Sequence, residues 1–250
     1  MKYAVITGAS KGLGFGLAKQ FLNKEISVVS VSRTENTELK ELAEVCNVGY
    51  LHYNCDLSSE DDRQETFEQI SAYLKNKTVD QLFVVNNAGI VDPIETVGKL
   101  QQDIVKKHFS LNVLAPIFIT NLFVRKDNLI PTVIINISSG AGSKAVHGWS
   151  TYCSSKAALN MFTETTALEL NNVKSIHKVI AYSPSIMDTD MQGEIRSASK
   201  EAFDDIDKFK DYKEKGLLRD PNVVATAFVN MLVKEELENG KIYHVSELLD

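Results

Sequence analysis

The architecture of this chain follows from one stretch near its start, Tyr3-Ala4-Val5-Ile6-Thr7-Gly8-Ala9-Ser10-Lys11-Gly12-Leu13-Gly14. A short β-branched run leads into a loop with glycines at positions 8, 12 and 14, and an amphipathic pattern follows. Glycine permits a tight turn and lets the backbone approach a pyrophosphate at the positive end of a helix. The spacing differs from G-x-G-x-x-G, but the physical logic is the same. The stretch predicts a dinucleotide site after the first strand, the alternative being a strand–helix turn without a ligand.

Short apolar runs alternate with longer amphipathic stretches through the rest of the chain. Near-continuous apolar runs, such as residues 28–31 and 133–135, indicate strands buried on both faces and hence a parallel sheet. We predict strands at 3–7, 27–32, 49–53, 81–86, 132–138, 175–183 and 241–245, and helices at 13–23, 37–46, 60–75, 99–126, 150–170 and 222–234. This alternation predicts an α/β, doubly wound (Rossmann) single domain over 1–250, with seven parallel strands and helices on both faces.

Residues 184–220 break this rhythm because they contain no predicted strand. Their middle, 186–212, is polar and is predicted to be mostly helical. Connections of this length inside a compact domain tend to be functional. We therefore predict a substrate lid over about 185–215.

Composition excludes several classes of protein. The 250 residues carry a net charge of −6, from 27 basic and 33 acidic side chains, so no nucleic-acid partner is expected. No apolar run is long enough to cross a bilayer, and the chain enters its first strand without a signal-like segment. Three cysteines without metal-ligand spacing, and histidines without a His-x-x-x-His pair, predict a cytoplasmic protein with no metal site.

Tyr152 and Lys156 are the strongest candidates for chemistry. Residues four apart lie on one face of a helix, so the ammonium would lie beside the phenol. A neighbouring cation is expected to lower the tyrosine pKa from its ordinary value of about 10, which suits proton transfer near neutral pH. The alternative is a solvated lysine next to a half-buried tyrosine.

The end of the second predicted strand bears on the choice of cofactor. Folds that prefer NAD place an acidic residue there, whereas an arginine accommodates the 2′-phosphate of NADP. Here the strand runs into Arg33, and Lys11 in the glycine loop can add a second cation. These two residues favour NADP(H), although a strand-end arginine can also be a plain surface charge.

The motifs Asn86-Asn87-Ala88-Gly89, Ile137-Ser138-Ser139 and Tyr152-x-x-x-Lys156 follow the glycine loop in order. With this set, the whole chain resembles the short-chain dehydrogenase/reductase family. The resemblance implies that Tyr152 donates a proton to the substrate oxygen, and that Lys156 lowers its pKa and holds the nicotinamide ribose. It also implies that Ser139 polarises the carbonyl while Ser138 faces away.

Further roles follow from the same resemblance. Asn112 corresponds to the asparagine that positions a water relay to the lysine, Asp56 to the acid that contacts adenine, and Thr189 to the threonine beside the nicotinamide amide. The family usually has Pro-Gly after the sixth strand, where this chain has Pro184-Ser185. The full implied cofactor set is Gly8, Ser10, Lys11, Gly12, Leu13, Gly14, Arg33, Asp56, Leu57, Asn87, Ala88, Gly89, Tyr152, Lys156, Pro184, Ile186 and Thr189.

The substrate class rests on finer resemblances. Asp188-Thr189-Asp190-Met191-Gln192 is similar to sepiapterin reductases, while residues 137–142, 148–149 and 193–197 resemble bacterial benzil reductases that form (S)-benzoin. The latter implies NADPH-dependent reduction of one carbonyl of an aromatic 1,2-diketone, a small-molecule substrate. Candidate pocket residues are Trp149, His147, Met187 and Met191.

Three other functions stay open on the sequence. Sepiapterin reductases anchor the pterin through an acidic residue near the C-terminus, where this chain has His244 with Glu247 and Asp250 nearby. A 3-oxoacyl-carrier-protein reductase should show basic residues near the pocket mouth, but the predicted lid mixes both signs. A non-catalytic NADP-binding sensor would not need the serine, tyrosine and lysine together.

The predicted helices 99–126 and 150–170 match the family's subunit interface, which implies a homodimer or homotetramer.

Overall fold

The computed structural model describes residues 1–249 and is built around one seven-stranded, all-parallel sheet. The spatial order is β3-β2-β1-β4-β5-β6-β7, so the chain winds outward from β1 in one direction and from β4 in the other. The strands are β1 (Lys2–Thr7), β2 (Ser27–Ser32), β3 (Tyr50–Asn54), β4 (Gln81–Asn86), β5 (Thr132–Ile137), β6 (Lys178–Ser183) and β7 (Ile242–His244). The predicted doubly wound fold is confirmed.

Helices cover both faces of the sheet. They are α1 (Gly12–Asn23), α2 (Thr37–Val45), α3 (Glu60–Lys75), α4 (Gln102–Phe109), α5 (Ala115–Phe123), α6 (Ser150–Asn172), α7 (Asp190–Ser197), α8 (Ile206–Glu214) and α9 (Pro221–Lys234). Among the described residues, no helix is both long enough and apolar enough to cross a membrane.

Two sequence predictions of element bounds need correction. The predicted helix 99–126 is divided into α4 and α5 by a π-helical segment, Ser110–Leu114. The sequence did not reveal this division, because one wider turn leaves the apolar periodicity almost unchanged. The predicted strand 175–183 begins only at Lys178. Lys174, with φ of +51°, turns the chain away from the end of α6 before the strand can start.

Apolar side chains fill the space on each face of the sheet. On one face, α1 and α9 pack over β1, β4 and β6, and a Cβ on Gly16 would lie 3.1 Å from the Ala225 Cβ. On the other face, α3 and α5 cover the alternate strand residues, with Phe67 and Phe123 edge to face. The sheet is therefore a fully covered, rigid platform.

A buried chain of polar side chains fixes α6 to the sheet. Asn86 Nδ2 donates to Asn136 Oδ1 at 2.9 Å, and Asn136 Nδ2 donates to Thr163 Oγ1 at 2.9 Å. The Thr163 hydroxyl then donates to the Leu159 carbonyl at 2.8 Å. These side chains, together with apolar packing, fix the positions of β4, β5 and α6 relative to one another.

The segment between β6 and α9 contains α7 and α8 but no strand, only one bridge between Met187 and Arg219. Three of its apolar side chains, Phe203, Ile206 and Phe209, are buried against Trp149 and Tyr152. This segment therefore folds over the carboxyl edge of the sheet next to the tyrosine.

Candidate active site

The carboxyl ends of β1 and β4 meet at the point where the strand order reverses, which is where open α/β sheets bind ligands. Thr7 Oγ1 accepts hydrogen bonds from the backbone N–H groups of Asn87 at 2.9 Å and Ala88 at 3.0 Å. The Asn87 side chain donates to the Thr7 carbonyl at 2.8 Å. These contacts tie the glycine loop to the end of β4 and leave little freedom in the floor of the crevice.

The glycine loop fits the pyrophosphate of a dinucleotide. Gly8 and Gly12 have φ of +67° and +57°, and a Cβ on Gly14 would lie 2.2 Å from the Gly8 carbonyl oxygen. The first N–H groups of α1 have no partner within the helix, and the positive end of the helix dipole lies beside this loop. Both features favour a bound phosphate. The Leu13 side chain is buried in the core.

The side chains expected at the adenine end lie at the ends of β2 and β3. Asp56 Oδ1 accepts from the Ser58 N–H at 3.0 Å and from the Ser58 hydroxyl at 2.7 Å. The Ser58 hydroxyl, more than the charges of Lys107 and Arg33, lowers the pKa of Asp56 below its ordinary value. Arg33 is exposed at the end of β2, and Leu57 is buried.

The Lys11 side chain does not extend toward Arg33; it reaches across the crevice toward α7. Its Nζ atom lies 2.5 Å from Asp190 Oδ2 at the start of α7, and both side chains are largely exposed. The neighbouring Thr189 also approaches the glycine loop, since its Cγ2 would lie 3.5 Å from a Cβ on Gly12. The expected second cation of the cofactor site is thus paired, in this structure, with the segment that follows β6.

The predicted chemical residues come together at the carboxyl edge of the sheet. Tyr152 and Lys156 are buried on one face of α6, and the Ser139 side chain is close enough to the phenol to influence its pKa. Ser138 is turned away and donates to Asn160 Oδ1 at 2.5 Å. The structure therefore selects Ser139 rather than Ser138 as the serine beside the tyrosine.

The expected direction of the tyrosine pKa shift is wrong. Burial raises the pKa of Tyr152 above its ordinary value and outweighs the opposing hydrogen bond with Ser139. Lys156 Nζ lies 5.7 Å from the centroid of the Tyr152 ring and donates to the Ile137 carbonyl at 2.8 Å. Burial also lowers the pKa of Lys156 to about 8, so the amine is still mostly charged at neutral pH.

Asn112 lies within the π-helical segment, close to Lys156, and its side chain makes three of the four hydrogen bonds open to an amide. Its Oδ1 accepts from the Ile90 N–H at 3.0 Å, and its Nδ2 donates to the Ile90 carbonyl at 2.8 Å and to His108 Nε2 at 3.0 Å. A Cβ on Gly89 would lie 3.3 Å from Asn112 Oδ1 and 3.8 Å from Lys156 Nζ. Sequence reasoning missed His108, although its position four residues before Asn112 was a usable signal.

Trp149 and Met191 lie where a substrate wall is expected. The Trp149 ring centroid is 5.3 Å from that of Tyr152, and its ring is stacked on Phe203 at 5.1 Å. We call Trp149, Tyr152, Phe203 and Phe209 the aromatic cluster, and Met191 packs against it. Trp149 Nε1 is buried and has no hydrogen-bond partner among residues 1–249.

The other two predicted pocket residues lie elsewhere. Met187 packs against the core beneath α1 and α9, while Ile186, expected to contact the cofactor, packs against the aromatic cluster. Consecutive side chains of an extended segment point to opposite sides, which explains the exchange. His147 is exposed, and its Nδ1 accepts from the Asp204 N–H at 3.4 Å.

Ser185 occupies a backbone conformation that favours glycine. Its φ is +64°, and it directly follows the buried Pro184 at the end of β6. A left-handed conformation strains a residue that has a Cβ by about 1–2 kcal/mol. The serine of this chain therefore adopts, under strain, a conformation that the glycine usual at this position in the family would adopt without it.

Comparison with known proteins gives the family. A model described as "short chain dehydrogenase" matches residues 2–200, and the chain belongs to this family. It is therefore an oxidoreductase that acts on carbonyl or hydroxyl groups of small molecules with a nicotinamide cofactor, and the glycine loop described above fits such a cofactor.

Among individual proteins, the chain is 37% identical to a benzil reductase ((S)-benzoin forming) from Bacillus cereus, over 99% of this chain and 100% of that protein. It is 30% identical to sepiapterin reductase from Xenopus laevis, over 94% of this chain and 92% of that one. The solved structure of the KRED1-Pglu enzyme superposes with a TM-score of 0.83 at 28% identity, over 97% of this chain and 100% of that chain. The resemblances predicted from the motifs are confirmed.

Proposed function

We propose that this protein is an NADPH-dependent carbonyl reductase that reduces one carbonyl of an aromatic 1,2-diketone, as in the conversion of benzil to (S)-benzoin. The observation that carries the proposal is the position of Tyr152, which is buried between Ser139 and an aromatic wall in a chain similar to a benzil reductase. Such a wall suits a substrate with aromatic rings and no charge.

The chain's own groups account for the proton chemistry. NADPH, when bound, supplies a hydride to the carbonyl carbon. The Ser139 and Tyr152 hydroxyl groups donate hydrogen bonds to the oxygen on which negative charge develops. The raised pKa of Tyr152 keeps the phenol protonated at neutral pH, as a proton donor in the reductive direction must be. The Lys156 ammonium, 5.7 Å from the ring centroid, stabilises the phenolate that remains.

For the cofactor, we assign the pyrophosphate to the loop of Gly8, Ser10, Gly12 and Gly14, and the adenine end to Asp56 and Leu57. Arg33 is assigned to the 2′-phosphate because its guanidinium is exposed at the end of β2, where a ribose would lie. The nicotinamide end is assigned to Asn87, Ala88, Gly89, Lys156, Pro184 and Thr189. Lys11 can join the 2′-phosphate only by leaving Asp190.

Sepiapterin reduction is the second candidate, because a sepiapterin reductase is also a relative. The C-terminal carboxylate that could anchor a pterin is engaged here: Glu247 accepts from the His244 N–H at 2.8 Å and pairs with Lys241 at 3.3 Å. Asp250 lies outside the described residues. The engaged carboxylate favours the diketone.

The test of function is a panel of NADPH-oxidation assays on benzil, 1-phenyl-1,2-propanedione, sepiapterin and an acetoacetyl thioester. We expect the highest kcat/KM with the two aromatic diketones, and chiral chromatography should identify (S)-benzoin as the product of benzil. A preference for sepiapterin would move the second candidate to first place. A preference for the thioester would contradict the diketone assignment.

Three further proposals accompany this function. Residues 1–250 form a single NADP-binding domain in which about 185–215 act as a substrate lid, supported by the burial of Phe203 and Phe209 over Tyr152. The protein works in the cytoplasm, which is consistent with three free cysteines among the described residues.

The protein also forms a homodimer or homotetramer through α4, α5 and α6. This is supported by exposed apolar side chains on α4, on α6 and on the π-helical segment that joins α4 to α5, namely Ile104, Leu114, Met161 and Leu168. Light scattering coupled to size-exclusion chromatography tests the assembly, with a monomer as the contradicting result.

A further inference from the structure

His108 touches two parts of the candidate active site at once. It lies on α4, one turn before Asn112, and is completely buried. Its Nδ1 faces the main-chain carbonyl of Asp92, and its Nε2 lies 3.0 Å from Asn112 Nδ2 and 2.9 Å from Ser155 Oγ. Its ring also packs edge-on against the Tyr152 ring, with centroids 6.2 Å apart. One imidazole thus joins the π-helical segment to α6.

The groups around the ring select one neutral tautomer. The Asn112 amide cannot be turned over, because its oxygen accepts from the Ile90 N–H. Its nitrogen therefore donates, and His108 Nε2 must accept. The ring proton then lies on Nδ1, where it is donated to the Asp92 carbonyl. A second proton on Nε2 would face the Asn112 N–H and break their hydrogen bond.

Ser155 extends the contact to the turn that carries the tyrosine. Its buried hydroxyl has one hydrogen and two acceptors within reach, the Tyr152 carbonyl at 2.8 Å and His108 Nε2 at 2.9 Å. A neutral ring leaves both choices available to this hydroxyl. A protonated ring would instead compel the serine oxygen to accept.

Three titratable groups surround the ring, namely Lys156, Tyr152 and Asp92. Burial is the main cause of a His108 pKa below its ordinary value. The positive charge of Lys156 acts in the same direction, while the contacts with Asp92 oppose it. His108 is therefore neutral at pH 7, as the hydrogen-bond geometry requires.

We propose that His108 is a positioning residue for carbonyl reduction, which holds Asn112 in place by accepting its hydrogen bond at Nε2 and supports the Tyr152 turn of α6 through Ser155 and edge-on ring packing. This inference rests on the proposed function, in which Tyr152 acts as proton donor. His108 itself does not touch the reacting atoms.

Three substitutions separate the two ring nitrogens. Glutamine carries an amide oxygen close to the Nε2 position and can still accept from Asn112, whereas asparagine reaches only the Nδ1 position. Phenylalanine keeps the shape and loses both contacts. We expect His108→Phe and His108→Asn to lower kcat about tenfold to a hundredfold, because a misplacement of about 1 Å has effects of that size. We expect His108→Gln to recover most of the turnover.

The matched control is His177→Phe. His177 is also buried and also has a pKa lowered by burial, but it precedes β6 at the opposite edge of the sheet. Each variant is measured for kcat and KM with benzil, for the Kd of NADPH by fluorescence titration, and for Tm. For the His108 variants we expect kcat to fall while the Kd of NADPH stays within about twofold. For His177→Phe we expect only Tm to fall.

The pH profile supplies a readout that a purely structural role would not change. As pH falls through the lowered pKa of His108, the ring gains a proton and loses its contact with Asn112. Wild-type kcat should therefore decline on the acid side. This decline should disappear in His108→Gln and persist in His177→Phe.

The proposal is overturned if His108→Phe and His177→Phe have the same kcat, or if glutamine and asparagine at position 108 are equally impaired. If His108→Phe does not fold, the comparison of glutamine with asparagine decides alone. Failure of the proposed function looks different: Tyr152→Phe would then retain turnover, or wild-type enzyme would prefer another substrate, whatever happens at position 108.

Discussion

The conformation of the loop between β1 and α1 is determined by main-chain geometry, whereas that of residues 184–219 is determined by side chains that pack on Tyr152. In the loop, bare glycine backbones and three hydrogen bonds through Thr7 leave one arrangement available. In the later segment, burial of Phe203 and Phe209 and exposed ion pairs such as Lys213–Asp188 hold two short helices in place. The glycine loop is therefore sensitive to any added atom, while the later segment is sensitive to the loss of its buried aromatic side chains.

The largest expected effect lies where the two regions meet. Tyr152→Phe keeps the ring and its packing on Trp149 but removes the proton donor. General acid catalysis contributes about 10²–10⁴-fold, so kcat should fall by that factor. The Kd of NADPH should be unchanged in a fluorescence titration. Near-normal turnover would remove the tyrosine from the assigned role.

A substitution in the main-chain region should be the next most harmful. A Cβ at Gly14 would lie 2.2 Å from the Gly8 carbonyl oxygen and 2.4 Å from Asn87 Nδ2, which is itself held by its hydrogen bond to the Thr7 carbonyl. We expect Gly14→Ala to lower the free energy of unfolding by about 1–3 kcal/mol and to weaken NADPH binding. Gly193→Ala, in α7 of the side-chain region, is the control, since a Cβ there meets nothing within 4 Å. Equal effects at the two glycines would contradict the comparison.

Arg33→Ala tests a side chain on the cofactor side. Because the glycine loop is unchanged in this variant, binding of a dinucleotide should survive, and only the preference for NADPH over NADH should decrease. Loss of a hydrogen bond to a charged group costs about 1.5–3 kcal/mol, so KM for NADPH should rise about tenfold or more while KM for NADH changes little. Steady-state assays with both cofactors measure this difference, and parallel increases for the two would argue against a 2′-phosphate contact.

The smallest effect is expected at Ser185, where the later segment begins. Glycine adopts the φ of +64° without strain, so Ser185→Gly should raise the free energy of unfolding by about 1 kcal/mol. Chemical denaturation measures this change, and kcat with benzil serves as the functional control. Destabilisation would show that the serine side chain stabilises the turn more than its conformation strains it.

How far the sequence predicts this structure depends on how local each feature is. The glycine loop, the alternation of strands and helices, and the pairing of Tyr152 with Lys156 follow from local sequence patterns, and these were predictable. The pKa of Tyr152 was not, because its burial depends on residues from a distant segment. The packing of Ile186 on the aromatic cluster and of Met187 on the core beneath α1 and α9 depends in the same way on contacts that no local pattern records. The π-helical segment after His108 was predicted in part: the sequence indicated a helix there, but no local pattern showed the wider turn within it.

The polar chain from Asn86 through Asn136 to Thr163 has a consequence for how such a protein can diverge. Each member satisfies a neighbour on a different element, so replacement of one removes a hydrogen-bond partner from a buried amide group, a loss of about 1–3 kcal/mol. Such losses do not add independently for groups in direct contact. Descendants of this chain can therefore vary freely along the outer helices, but these three positions are expected to be inherited together or exchanged together.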